Sequence, residues 1–91
     1  MQTWHVYLLR CADKSLYCGI TNNLDKRVAA HNAGTASKYT RAHLPVSLAA
    51  SVEVESKSEA LKLELAIKKL PARQKIDRLL DHATSGHDTT G

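Results

Sequence analysis

The sequence predicts a small α/β domain of the α+β kind, a three-stranded antiparallel sheet flanked by helices in the order ββαβαα, and three observations carry that expectation. Val6-Tyr7-Leu8-Leu9-Arg10-Cys11 and Leu16-Tyr17-Cys18-Gly19-Ile20-Thr21 are short runs of aliphatic, aromatic and β-branched residues separated by the polar Ala12-Asp13-Lys14-Ser15, which is a hairpin signal. After Pro45, residues 46–54 alternate Val46, Leu48, Ala50, Val52 and Val54 with smaller or polar residues, as in a third strand with one covered face. Helix-start chemistry follows both: Asn22-Asn23 after the hairpin and Ser56-Lys57-Ser58-Glu59 after the third strand.

Within the hairpin, a loop of odd length such as residues 12–14 gives paired positions an even sum and puts Tyr7 and Tyr17 on one face of neighbouring strands. A loop of even length separates them. Asn23 then caps a helix over residues 24–32, with Asp25 in its first turn and Gly34 as its stop. Arg27 and His31 are four apart and share one flank of it. Residues 35–41 are small, polar and basic apart from Tyr39, and read as a surface loop. Lys38, Tyr39 and Arg41 suit a nucleic-acid backbone with a base or sugar on the ring; the plainer reading is a solvated loop whose tyrosine packs on the sheet.

Ser56 to Glu59 has the form of a capping box, and residues 59–70 contain no helix breaker. Ala60, Leu63, Ile67 and Leu70 form the apolar stripe of that helix. At about 100° per residue, Glu64 falls about 40° from Ala60 and about 60° from Ile67, at the border between core and solvent. Pro71 cannot continue the helix but suits the first turn of another, and residues 72–80 offer Ile76, Leu79 and Leu80 for packing. Residues 82–91 have no apolar anchor beyond Ala83 and read as a disordered tail behind a domain of residues 1–81.

Ninety-one residues make a modest core and leave no room for a separate recognition module. Lys and Arg number 13 against 9 acidic residues, a formal net charge of +4, which favours a polyanionic partner. Two cysteines are too few for a disulfide framework, and across a three-residue loop Cys11 and Cys18 have opposite parity and face opposite sides of the sheet. A reduced, cytoplasmic protein is expected. No apolar run approaches the ~20 residues of a membrane span, and the first residues lack a signal-peptide pattern. His5, Cys11, Cys18, His31 and His43 have no CxxC or HxxxH spacing, so no zinc site is expected among them.

Taken in order, Val6-Tyr7, then Tyr17-Cys18-Gly19, then Arg27 and His31 one helical turn later resemble the paired tyrosine motifs and arginine helix of the GIY-YIG nuclease superfamily. Asn32-Ala33-Gly34, Ala36-Ser37-Lys38-Tyr39-Thr40-Arg41, and Glu64 followed by Ile67-Lys68-Lys69-Leu70 are similar to its small stand-alone bacterial members. The resemblance spans residues 4–80. His5 stands where the first motif usually has glycine, Cys18 replaces the isoleucine of the second, and Ile20 stands where several branches place a lysine.

The resemblance implies a GIY-YIG-like fold and divalent-metal-dependent hydrolysis of DNA phosphodiesters in repair or recombination. It implies Tyr7 as general base with Tyr17 holding it or the water, or the reverse. A phenol ionises near pH ~10, so such a base needs a metal or Arg27 to favour its phenolate. A planar guanidinium at Arg27 can meet two non-bridging oxygens at once. His31 would pass a proton between Tyr7 and solvent or assist the leaving oxygen, and Glu64 would be the one carboxylate ligand of a Mg²⁺ or Mn²⁺ ion otherwise held by water and phosphate. Ordinary surface chemistry offers Arg27 as a solvated side chain and Glu64 as an i, i+4 partner of Lys68. The alternative function is a catalytically weak nucleic-acid-binding module that acts with a partner protein.

Overall fold

Strand β1 (Trp4–Arg10) is the middle strand of the sheet in the computed structural model, which describes residues 3–88. Strands β2 (Leu16–Thr21) and β3 (Ser47–Val54) pair antiparallel on its two sides, giving the order β2-β1-β3. Helices α1 (Leu24–Asn32) and α2 (Lys38–Arg41) lie between β2 and β3 in sequence, and α3 (Lys57–Lys68) and α4 (Ala72–Asp88) follow β3. The order ββαβαα holds, with α2 as one added turn of helix before β3.

The hairpin sets the geometry of everything else. Cys11 N donates to Ser15 O at 2.9 Å and Lys14 N to Cys11 O at 2.9 Å, so the loop is the three residues 12–14, closed by Lys14 at φ 72°. The register pairs Tyr7 with Gly19 and Leu9 with Tyr17, which puts both tyrosines on one face. That face carries Tyr7, Leu9, Cys11 and Val46, packed with Leu24 and Val28 of α1 and with Leu44. The other carries Val6, Leu8, Cys18, Ala50, Val52 and Val54 against Ala60, Leu63 and Ile67 of α3 and Leu79 of α4. Cys11 and Cys18 are thus free, buried and on opposite faces.

Asn23 caps α1 by accepting from Lys26 N at 3.2 Å, and Gly34, at φ 80°, lets Thr35 N return to Ala30 O at 3.0 Å. Ser56 caps α3 by accepting from Glu59 N at 3.2 Å, while the Glu59 carboxylate accepts from Glu55 N, one residue before the usual capping-box donor. Four features depart from the sequence reading. Residues 38–41 are helical because Ser37 Oγ accepts from Tyr39 N at 3.1 Å and starts a turn. The alternation of residues 46–54 is broken by a register shift between Leu8 and Leu9 that leaves Ala49 unpaired; Ala50, Val52 and Val54 face α3 and α4, whereas Val46 joins the opposite core. Leu80, expected to pack, stays 48 % exposed, one helical step away from the fully buried Leu79. Finally, α4 runs on to Asp88, so residues 82–88 are helical rather than a disordered tail: no proline intervenes, and extending a nucleated helix orders one residue per hydrogen bond gained. Residues 89–91 of that tail lie outside the described residues.

Candidate active site

Gly19 makes room for the site. A Cβ on it would stand 2.5 Å from the Tyr7 hydroxyl oxygen and 2.6 Å from Cζ, so only hydrogen at this position lets the phenol lie across β2. So placed, Tyr7 is 2 % exposed and its hydroxyl lies 2.9 Å from His31 Nε2 on α1. The Tyr7 and Tyr17 rings meet the imidazole edge-on, with centroids 5.8 and 5.1 Å away. On the far side, His31 Nδ1 is 2.8 Å from Thr40 Oγ1 of α2, and the Thr40 hydroxyl donates to Ser37 O at 3.3 Å. His31 is 1 % exposed and Thr40 fully buried, so a chain of polar groups crosses the interior from Tyr7 to α2. His31 therefore does not open to solvent, as a shuttle between Tyr7 and water would.

Burial, and after it the neighbouring Tyr17, push the Tyr7 phenol well above the ordinary tyrosine range; Arg27 pulls it down, and Cys18 and Glu64 add to the rise. Burial, and second to it Arg27, hold His31 below the ordinary histidine range. The resting pair is a neutral phenol on a neutral imidazole. Arg27 alone does not secure a phenolate, because burial outweighs it.

Arg27 is exposed on α1, four residues before His31, and its charge bears on both Tyr7 and His31. It lines a cleft of about 230 Å³ with Thr21, Asn22, Asn23, Lys26 and Ala30, large enough for a phosphate. Glu64 does not line that cleft. It comes from α3, and its charge reaches Tyr7 and also Cys18, whose thiol burial pushes up to about 11 with Glu64 adding to the rise. Its carboxylate is 15 % exposed, with Oε2 3.3 Å from Lys68 Nζ, so the i, i+4 pair is present. Among the described residues no three His, Cys, Asp or Glu side chains converge on a point where they could hold a metal ion. The donor set fits a hydrated divalent ion held through Glu64 alone and completed by water and phosphate oxygens.

Helix α2 presents Lys38 and Arg41 to solvent and Thr40 to the interior. Tyr39, 42 % exposed, stacks on Tyr17 at 6.1 Å, meets the His43 ring at a tilt 4.7 Å away, and its hydroxyl donates to Ser15 Oγ at 2.5 Å. The hairpin loop is tied back by Ala12 N to His43 O at 2.8 Å and by the His43–Asp13 pair at 3.4 Å. Tyr17, predicted from its motif, therefore bridges the buried pair and the basic helix. Sequence reasoning misses two partners. Thr40 carries no signal beyond its place in the basic, family-like segment 36–41. Asn32 reads as motif only, yet its side chain accepts from Val46 N at 2.9 Å and donates to Val46 O at 3.0 Å, pinning the entry to β3 against α1.

Residues 3–77 match the family described as the GIY-YIG catalytic domain. A UPF0213 protein of Lactococcus lactis is 47 % identical over 77 residues, covering 84 % of this chain and 74 % of the relative. One from Nitratidesulfovibrio vulgaris is 42 % identical over 87 residues, covering 96 % and 76 %, and one from the archaeon Halobacterium salinarum is 46 % identical over 71 residues, covering 78 % and 92 %. Two solution NMR structures share the fold. A protein from E. faecalis aligns with a TM-score of 0.63 at 37 % identity, over 92 % of this chain and 90 % of that one. A UPF0213 protein from Bacillus halodurans aligns with a TM-score of 0.53 at 38 % identity, over 87 % and 83 %.

Proposed function

Since this chain belongs to the GIY-YIG catalytic-domain family, we propose that it is an endonuclease that hydrolyses phosphodiester bonds of DNA at the Tyr7–His31 pair, with a divalent metal ion at Glu64. The observation that supports this reading most is the buried 2.9 Å contact between the Tyr7 hydroxyl and His31 Nε2, in reach of the Arg27 charge. Two neutral groups so joined can take a proton from water without forming a free phenolate. As the attacking water gives its proton to the Tyr7 oxygen, the Tyr7 proton passes to His31 Nε2, and hydroxide adds to phosphorus as the opposite P–O bond breaks; the leaving oxygen takes a proton from solvent water, and the reverse transfer through Tyr7 returns the proton held by His31 to the hydroxide so formed. Arg27 meets the non-bridging oxygens on which charge gathers. A divalent ion, which nucleases of this family generally use, would supply further positive charge to the phosphate and leaving oxygens. Lys38, Tyr39 and Arg41 hold the strand beside the site through phosphate contacts and a stacked ring.

Repair or recombination in the cytoplasm is the setting we assign, with a protein partner helping to select the substrate. A second reading, a nucleic-acid-binding module without turnover of its own, is favoured by the engagement of Glu64 with Lys68. Incubation with nicked, branched and single-stranded DNA in Mg²⁺ or Mn²⁺, with a chelator control, separates the two. Metal-dependent cleavage supports the endonuclease; binding without cleavage of any substrate supports the module.

A further inference from the structure

Three protons and their acceptors decide how His31 is wired. The Thr40 hydroxyl can donate to Ser37 O, 3.3 Å away, and its oxygen, 2.8 Å from His31 Nδ1, is then free to accept from that nitrogen. Nδ1 then carries the imidazole proton, and Nε2 is left with a lone pair 2.9 Å from the Tyr7 hydroxyl. The other tautomer satisfies fewer of these groups. An Nε2–H directed at Tyr7 leaves the phenol proton of a residue only 2 % exposed without a described acceptor, and an Nδ1 lone pair draws the Thr40 hydrogen away from Ser37 O, leaving two oxygens face to face. All buried polar side-chain atoms among the described residues have a partner, which the Nδ1–H arrangement satisfies.

We propose that Thr40 is a positioning residue: from the buried side of α2 it accepts from His31 Nδ1 and thereby fixes the tautomer in which Nε2 can receive the Tyr7 proton. This rests on the nuclease reading above for its consequence, but not for its geometry. The reaction uses a lone pair at Nε2, and that lone pair exists only while Nδ1 holds the ring proton. Thr40 lies between Tyr39 and Arg41, so the turn that offers an aromatic ring and cations to solvent also sets the proton relay inside. Disturbing α2 therefore weakens DNA binding and the relay together.

The test is nitrogen-15 NMR of histidine-labelled protein, read beside the cleavage rate of one DNA substrate in Mg²⁺. Wild type should show His31 protonated at Nδ1 and bare at Nε2. Thr40→Val, close to threonine in shape but without the acceptor, should move the proton to Nε2 and cut cleavage by about 10²-fold or more, in line with other catalytic histidines held in the wrong tautomer. Thr40→Ser keeps the hydroxyl and should restore both the wild-type spectrum and a rate within a few-fold; thermal melts confirm that each variant is folded. An Nε2–H signal in wild type overturns the proposal, as does an unchanged spectrum and rate in Thr40→Val. A wild type with the Nδ1–H tautomer that cleaves no DNA overturns the nuclease reading instead, since the spectrum needs no substrate.

Discussion

A single missing methyl group decides where the Tyr7 hydroxyl sits. Gly19→Ala would place a carbon 2.5 Å from that oxygen, so the phenol must swing off β2 and away from His31. Cleavage should then fall by about 10²-fold or more while stability drops by the about 1–3 kcal/mol typical of an overpacked site; full activity in a folded Gly19→Ala would separate Tyr7's position from the chemistry. His31 gives a prediction with a sign. Its folded pKa is lowered, by burial first and Arg27 second, so its lone pair survives below the ordinary value of 6.5, and the acid limb of the single-turnover rate should lie below that pH. The unfolded chain binds the proton first as pH falls, so the stability His31 contributes is full above 6.5 and is lost towards the folded value. An acid limb above 6.5 would mean that another group limits the reaction. The glycine is legible in the sequence only as a motif letter. What makes it necessary is the pairing of Tyr7 with Gly19, which a parity rule locates once the hairpin loop is known to be three residues.

At the level of elements, the caps and stops of α1 and α3 are legible because Asn23, Gly34 and Ser56 act on their own neighbours. The turn of α2 and the bulge at Ala49 are not. Ser37 is an ambiguous cap in a stretch with no apolar period, and a bulge depends on how β3 meets β1 rather than on β3 alone. The prediction for α2 is electrostatic. Lys38→Ala with Arg41→Ala should weaken binding to all DNA sequences alike and reduce the slope of log affinity against log salt by about 2, one for each phosphate that a cation no longer neutralises. An unchanged slope would take α2 off the binding surface. For α3, Glu64→Gln should abolish metal-dependent cleavage and leave metal-free DNA binding equal or tighter, since a charge that repels phosphate is removed. If Glu64 serves only Lys68, the change should cost about 0.3–0.5 kcal/mol and leave cleavage intact.

Across the whole molecule, the sheet separates two packed faces. Alternation along β1 sends Val6 and Leu8 to the core under α3 and α4, and Tyr7 and Leu9 to the face where α1 and α2 bring His31 and Thr40. The larger core and the Tyr7–His31 pair thus rest on neighbouring residues of one strand, while Glu64 comes from α3 on the core side. Local periodicity and parity are enough to reach the face-sharing tyrosines and the flank of Arg27 and His31. They cannot reach the inward turn of Thr40, because the His31–Thr40 contact depends on how the segment between α1 and β3 folds back. Tyr7→Phe tests the central claim most directly, since it keeps the ring over Gly19 and removes only the hydroxyl. The single-turnover cleavage rate of one DNA substrate in Mg²⁺ should fall by about 10²- to 10⁴-fold in a variant that still melts cooperatively and still binds DNA; a rate within a few-fold of wild type would contradict proton transfer through Tyr7 and His31.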